Sequence, residues 1–526
     1  MFLNGYCLYK IKSNLVTMKV LRNDETTFSV VSEKAVSNST RKISSEIHEA
    51  AGVLDLEKKL EQEVRYLKIY HYLWMQPYSV FSLDQKRVIV ILAAIASFIS
   101  PFTANIYYPA ITPLALDLEV SVELINHTVT AYLIFQGISP TFFGTLGDTY
   151  GRRPIFLLTF LIYIAACTGL ALARQYWLVL VLRMLQSCGS ARAGVIGDIT
   201  MAEERGGYMG VWSLGSMSGL TLGPIVGGVI AQFLGWRAIF WFLTIFAAIY
   251  LVVLFFFLPE TLRSLVGNGS ILPRGINARP SDLRRCKSTP PLERQSPKNP
   301  FLTLKLLKEK DVVIILFIGA IYWAALYMSI TSLAPIFIRI YGVNLLQVGL
   351  CYFAYGVGSL IGSYTSGRLM DWSFQRTKFE EGENMAIEHA RMRILPLYFG
   401  IFIVCQLCYG WVLQEELHIS IPLIIQFFLG ISNTSLFNVT TTLVVDLFPQ
   451  NGSAATASNN LVRCLIGAGG VSIVNPMIET VGIGWTFTTS AVVCALVVPL
   501  AYLEYKQGPL WRAQRAERFR ISAHEI

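Results

Sequence analysis

Charge is scarce in this chain. Asp, Glu, Lys and Arg make up 15% of its 526 residues, against about 25% in an average soluble protein. Apolar residues reach 53% and the mean hydropathy is +0.51, which excludes a disordered chain and an ordinary soluble multidomain enzyme. Histidine is scarce too, with six residues that form no cluster. There is no H-E-x-x-H, no G-x-S-x-G and no phosphate-binding G-x-x-x-x-G-K-[ST], so zinc hydrolysis, serine hydrolysis and direct ATP-driven pumping lack their residues. An enzyme is not expected, nor a metal site or cofactor. Nine cysteines are too few, and too deep in apolar runs, for a disulfide framework. The Cys405-x-x-Cys408 pair has no second pair or histidine nearby and reads as a helix face.

Long apolar runs are what the chain has. A membrane span needs about 20 mostly apolar residues. Twelve such runs stand at 88–108, 124–146, 155–173, 177–199, 208–231, 237–258, 312–334, 347–366, 394–413, 419–443, 457–478 and 484–503. They predict an all-α integral membrane protein with two six-helix halves, 88–258 and 312–503. A tail of 1–87, a Pro-rich connection of 259–311 and a tail of 504–526 complete it. The connection is expected to be largely irregular. Of the 43 Lys and Arg residues, 13 lie in 1–87, 11 in 263–310 and 5 in 504–526. This bias toward one set of loops orients the chain with both termini cytosolic and accounts for the net charge of +9 without nucleic acid. Two halves joined by a long cytosolic loop point to a secondary transporter with its substrate site between them.

Between spans two and three stands Gly144-Thr-Leu-Gly-Asp148-Thr-Tyr-Gly151-Arg152-Arg153-Pro. Gly144 permits close helix approach, Gly151 a tight turn, and Asp148 is a fixed anion beside Arg152. A degenerate counterpart, Gly367-Arg-Leu-Met-Asp371, follows span eight. Span five carries Gly210, Gly219, Gly223-Pro224 and Gly227-Gly228. Its glycines give a smooth packing face and its proline removes one backbone hydrogen bond. Span four carries Arg183-Met-Leu-Gln186. A buried arginine in a span is costly and functional by default, with snorkelling to the surface as its competing explanation. Span ten ends at Asp446, and span eleven opens with Asn459, Asn460 and Arg463.

These motifs resemble the major facilitator superfamily. From about 77 to 503 the chain is most similar to the fungal twelve-spanner drug:proton antiporters, in the quinidine-resistance and dityrosine transporter branch. The resemblance implies that Asp148 faces the start of span eleven as a cytosolic latch. It implies that span five is an antiporter-type motif, and that Arg183 and Gln186 match the family's R-x-x-Q-G with Ser187 and Cys188 standing before the glycine. It also implies that Asp446, Asn459, Asn460 and Arg463 line the cytosolic half of the pathway; a static latch of the second half is the other reading of Asp446. Asn105, Tyr107, Tyr108, Tyr132 and Gln136 stand as cavity candidates, with an aromatic belt as the competing explanation for the tyrosines. Asp198 closes span four as a carrier or cap.

The function so implied is proton-coupled export of drugs or other small organic molecules by alternating access, with the proton as coupling ion. The substrate would be an amphipathic cation or a weak acid, the protein a monomer, and its place a fungal plasma membrane. A nutrient symporter and a non-transporting sensor are the alternatives. One departure stands out. The family carries roughly five more residues between Gly189 and Gly194, and five residues turn a helix by about 140°, so the register of span four beyond Gly189 differs from the family's. Met18 is an alternative start.

Overall fold

The computed structural model describes residues 80–189, 199, 202–273, 275–283, 307–381, 386–448 and 452–524. These residues are helical with no strand among them. The twelve long helices are α1 (Leu83–Asn105), α2 (Val122–Tyr150), α3 (Arg152–Leu172), α4 (Tyr176–Gly189), α5 (Ala202–Leu234), α6 (Trp236–Phe257), α7 (Lys310–Tyr341), α8 (Leu345–Glu381), α9 (Leu395–Gln414), α10 (Ser420–Leu447), α11 (Gly452–Val481) and α12 (Ile483–His524). Among the described residues, ten helices are long and apolar enough to cross a membrane. Helix α2 has 29 residues but carries Asn126, His127, Gln136 and Asp148. Helix α4 is described over 14 residues. The expected remainder of span four, including Asp198, and most of the tail 1–87 lie outside the described residues.

Local signals set the helix ends. Ser82 and Gln85 open α1 with a capping box: Ser82 Oγ accepts from the Gln85 N–H, and Gln85 Oε1 accepts from the Ser82 N–H. Ser121 caps α2 with its side chain alone, accepting from the Leu124 N–H. The turns from α5 to α6 and from α11 to α12 fall on Gly235 and Gly482, with φ of +81° and +86°. This is one left-handed glycine at the equivalent place in each half.

Within the halves α1 packs on α5, α7 on α11 and α8 on α10. Between them α2 meets α11 and α5 meets α8. One apolar cluster joins the halves at the end remote from the basic loops, through Tyr108, Leu114, Leu333, Phe337, Val348 and Val474. A second lies inside the C-terminal half at the basic end, with Val312, Met392, Tyr398, Leu447 and Ala501.

The described part of the connection after α6, residues 258–273 and 275–283, is irregular chain with short helical turns. Helical turns form at Arg263–Val266, Gly275–Asn277 and Pro280–Leu283. Helix α12 overruns its span. Its 42 residues reach about 63 Å at 1.5 Å each, twice the roughly 30 Å hydrocarbon core. Residues 504–524 continue the helix past the apolar run 484–503.

Candidate substrate pathway and gate

Arg183 is fully buried on α4, which excludes a snorkelling geometry. Its guanidinium carbon lies 4.1 Å from the Tyr107 ring centre and 4.3 Å from that of Tyr132. Its Nη1 donates to Gln186 Oε1 at 2.6 Å, and Gln186 Nε2 donates to Cys167 Sγ at 3.1 Å. Tyr107 is held by Thr128 at 2.9 Å. The Nε and Nη2 donors of Arg183 have no partner. Two faces of π density steady the cation at about 2 kcal/mol or more each when desolvated, but among the described residues no carboxylate pairs with it. The tyrosines are thus structural walls of this site, not an interfacial belt.

The C-terminal half repeats the theme. Arg463 on α11 lies 4.5 Å from Trp323 and 5.5 Å from Phe437. Its Nη2 donates to Asn460 Oδ1 at 2.6 Å, and its Nε has no partner. Asp446 is engaged elsewhere: Arg391 Nε donates to its Oδ2 at 2.9 Å. Asn459 donates to Thr441 Oγ1 at 2.8 Å within its own half. Asn105 donates to the Pro101 carbonyl one turn back on α1.

The seam between the halves runs beside these arginines. Asn460 Nδ2 donates to the Gln136 carbonyl at 2.9 Å. Thr130 Oγ1 and Ser472 Oγ share a hydrogen bond of 3.0 Å. Gly137 lies against Leu461 and Cys464 so closely that a Cβ would have 3.0 Å to Cys464 Cβ. Toward the remote end, Tyr108 stacks on Tyr352 and the Leu345 N–H donates to Gln232. Toward the basic end, Gly144 has no atom within 4 Å of its Cβ position, and Phe142 and Tyr150 are exposed.

The glycines of α5 serve two neighbours. Gly219, Gly223 and Gly227 meet the backbone of α1 and of Ile106 just after it; a Cβ would overlap at Gly219 and Gly227 and be tightly pressed at Gly223. Gly228 faces the other half, at Leu345 and Gly349 of α8. Pro224 presents its carbonyl to Gly349. Gly210 lies in the same helix nearer the basic end.

At the basic end Asp148 pairs with Arg152 at 2.6 Å. Arg153 is buried, and its guanidinium donates to the carbonyls of Phe255, Ile276 and Ala278, each at 2.6 Å. Glu260 reaches back to cap α3, accepting from the backbone N–H groups of Arg152, Arg153, Thr261 and Leu262 at 2.8 to 3.2 Å. Burial pushes the Glu260 carboxyl up, and those four N–H groups pull it down. Gly151, at φ +112°, leaves room for it: a Cβ there would overlap Glu260 and press on Asn277. Sequence reasoning finds Leu258-Pro259-Glu260-Thr261 as part of the family resemblance but gives Glu260 no role, and it misses Thr130 and Ser472. Glu260 has a local signal, Pro259-Glu260-Thr261 straight after an apolar run, but nothing marks its partner 108 positions away. The two hydroxyls carry none.

The family model for the Major Facilitator Superfamily matches residues 93–471. Citrate exporter 1 of Aspergillus niger is 37% identical over 478 residues, covering 85% of this chain and 91% of that protein. The MFS-type transporter R5 of a Phoma species is 39% identical over 459 residues, covering 83% and 87%. Among solved structures, a bacterial homolog of the human lysosomal transporter Spinster, in an inward-facing and unoccupied conformation, aligns with a TM-score of 0.56 at 14% identity, covering 81% and 98%. The human organic anion transporter MFSD10 aligns at 0.50 and 17%, covering 79% and 99%. At those identities the two structures share the fold.

Proposed function

The chain belongs to the Major Facilitator Superfamily, and from that premise we propose that this multi-pass membrane transporter exports small organic acids by proton-coupled alternating access. The observation that carries the substrate class is Arg183: a fully buried guanidinium, sandwiched by two tyrosines, with two open donors and, among the described residues, no carboxylate paired with it. A buried unpaired charge costs several kcal/mol. A substrate carboxylate offsets that cost with charge-assisted hydrogen bonds of about 1.5–3 kcal/mol each. Arg463 provides a second cation of the same kind from the other half. Of the two substrate classes that the sequence left open, weak acids match this field, whereas an amphipathic cation meets two fixed positive charges. Citrate exporter 1 is the relative that supports the reading.

The seam supports alternating access. Contacts from Gly137 outward are tight, and among the described residues nothing lies within 4 Å of a Cβ at Gly144, toward the basic end. The positive-inside bias makes that end cytosolic, so the substrate enters from the cytosol and leaves when the halves rock. Proton coupling and a plasma-membrane location rest on the resemblance and the α5 motif. Purified protein in proteoliposomes with an imposed pH gradient tests the whole: labelled citrate should accumulate in inverted vesicles and tetraphenylphosphonium should not. Transport of the cation alone overturns the acid reading, and citrate transport indifferent to the gradient overturns the coupling.

A further inference from the structure

The basic end of the C-terminal half holds a group of buried charges that the transport reading does not use. Asp311 opens α7, Glu388 sits on the short helix Ile387–Met392, and Glu504 lies on α12 just past its span. All three are buried, at 2%, 0% and 0% exposure. Arg515 Nη1 bonds to Asp311 Oδ2. Arg512 Nε lies 3.4 Å from Glu388 Oε1. Further along, Arg518 donates to Glu309 at 2.8 Å. Three buried carboxyls thus face two arginines, and Glu504 is the one left over.

Among the described residues neither oxygen of Glu504 nor of Glu388 has a hydrogen-bond partner, and Glu388 has the 3.4 Å ion contact with Arg512 while Glu504 has none. Gly508 lies over it one turn later: a Cβ there would be 2.7 Å from Glu504 Oε1 and 3.1 Å from Glu388 Cγ. His389, beside Glu388, stacks on Tyr505 at 4.4 Å. Its Nε2 lies 3.0 Å from the Tyr505 carbonyl, which Pro509 leaves without its helical N–H partner. The charged groups around Glu504 are therefore Asp311 from α7, Glu388 and His389 from the short helix, and Arg512 and Arg515 from α12. Among the described residues no such group is arranged to hold a metal ion. A lone carboxylate in this enclosure is the costly form, and a neutral acid is the cheap one.

We propose that Glu504 is a proton-binding site that fastens the extension of α12 (504–518) to the basic end of the C-terminal half. The extension docks with the acid protonated and is released when it ionises. Burial, then the like charges of Asp311 and Glu388, push this carboxyl up from 4.5 to about 8, with Arg515 opposing. The docked form binds the proton more tightly than the free form. Fastening is therefore full below the ordinary carboxylate value and is lost as the pH rises through about 8. The inference is independent of the substrate.

Hydrogen exchange of the full chain in lipid nanodiscs, corrected for intrinsic rates, tests it between about pH 6 and pH 9. Protection of amides 504–518 should fall about tenfold per pH unit up to about pH 8 and level off above it. Glu504→Gln, neutral at every pH, should keep its protection throughout. Glu388→Gln removes one like charge and should move the levelling-off to lower pH. Flat protection in the wild type, a parallel fall in Glu504→Gln, or an unmoved levelling-off in Glu388→Gln each overturns the assignment.

Discussion

Thr130 on α2 and Ser472 on α11, 342 positions apart, join their hydroxyls at 3.0 Å across the two halves. Each can instead donate to its own helix, Thr130 to the Asn126 carbonyl and Ser472 to the Ala468 carbonyl. With one proton apiece, one hydroxyl donates across the seam and turns back to its own carbonyl when the seam parts, so parting exposes no orphaned donor. That is the kind of seam that rigid-body rocking can open. The pair Thr130→Cys and Ser472→Cys, in a chain without the native cysteines, should form a disulfide, since bridged Cβ atoms lie about 3.5–4.5 Å apart. Transport should stop on oxidation and return on reduction. Full transport with the bridge formed would show that the halves do not part here.

Arg183 makes a sharper prediction. Lysine keeps the charge but loses the planar face that stacks on Tyr107 and Tyr132 and the fork that reaches Gln186. Arg183→Lys should lower citrate transport about tenfold or more, mostly through weaker apparent affinity, equivalent to about 1.4 kcal/mol or more. Arg183→Gln should abolish it while the protein stays folded, because removing a buried unpaired charge relieves a cost. Loss of protein from the membrane in Arg183→Gln would instead make this arginine structural.

These two sites differ in how far the sequence reveals them. Twelve apolar runs, the Gly-rich face of α5 and the buried charge on α4 are local patterns, and their periodicity or cost is readable from composition alone. What each charge meets is not. Asp446 and Arg463 stand close enough in sequence to pair, yet Asp446 pairs with Arg391 from the short helix 387–392, and Arg463 turns to Trp323 and Asn460. Pairing is settled by tertiary approach, which no spacing encodes. The described part of the connection after α6 makes the same point. Arg153 bonds to the carbonyls of residues 276 and 278 and Glu260 caps α3, contacts that no local pattern encodes.

The glycines of α5 separate packing from conformational freedom. Gly227→Ala would drive a methyl group into the Ile106 backbone, which has no flexible end to yield. Overpacking of this kind costs about 1–3 kcal/mol. Gly227→Ala should lower the Tm measurably in detergent and cut transport. Gly144→Ala meets open space and should leave the Tm unchanged. If Gly144→Ala also stops transport, its space is needed in a second conformation, when the basic end closes. Equal stability of the two variants would refute the close approach of α5 to α1.

The clasp at Gly151–Arg153 binds the α2–α3 turn to the connection between the halves. Arg153 closes three carbonyls that belong to α6 and to residues 276 and 278, and Glu260 caps the first N–H groups of α3. A carboxylate at a helix N-terminus stabilises through both hydrogen bonds and the helix dipole. Glu260→Ala leaves several buried N–H groups without an acceptor at about 1–3 kcal/mol. Arg153→Lys keeps one cation but cannot span three carbonyls. Both variants should free residues 263–283 to limited proteolysis while the spans stay intact. Because Asp148 keeps its own pair with Arg152, Asp148→Asn should leave that segment as resistant as in the wild type. A variant at Asp148 that slows transport without loosening 263–283 would then separate the gate from the clasp. Cleavage of 263–283 in Asp148→Asn at the rate seen for Glu260→Ala would show that the motif is one structural unit.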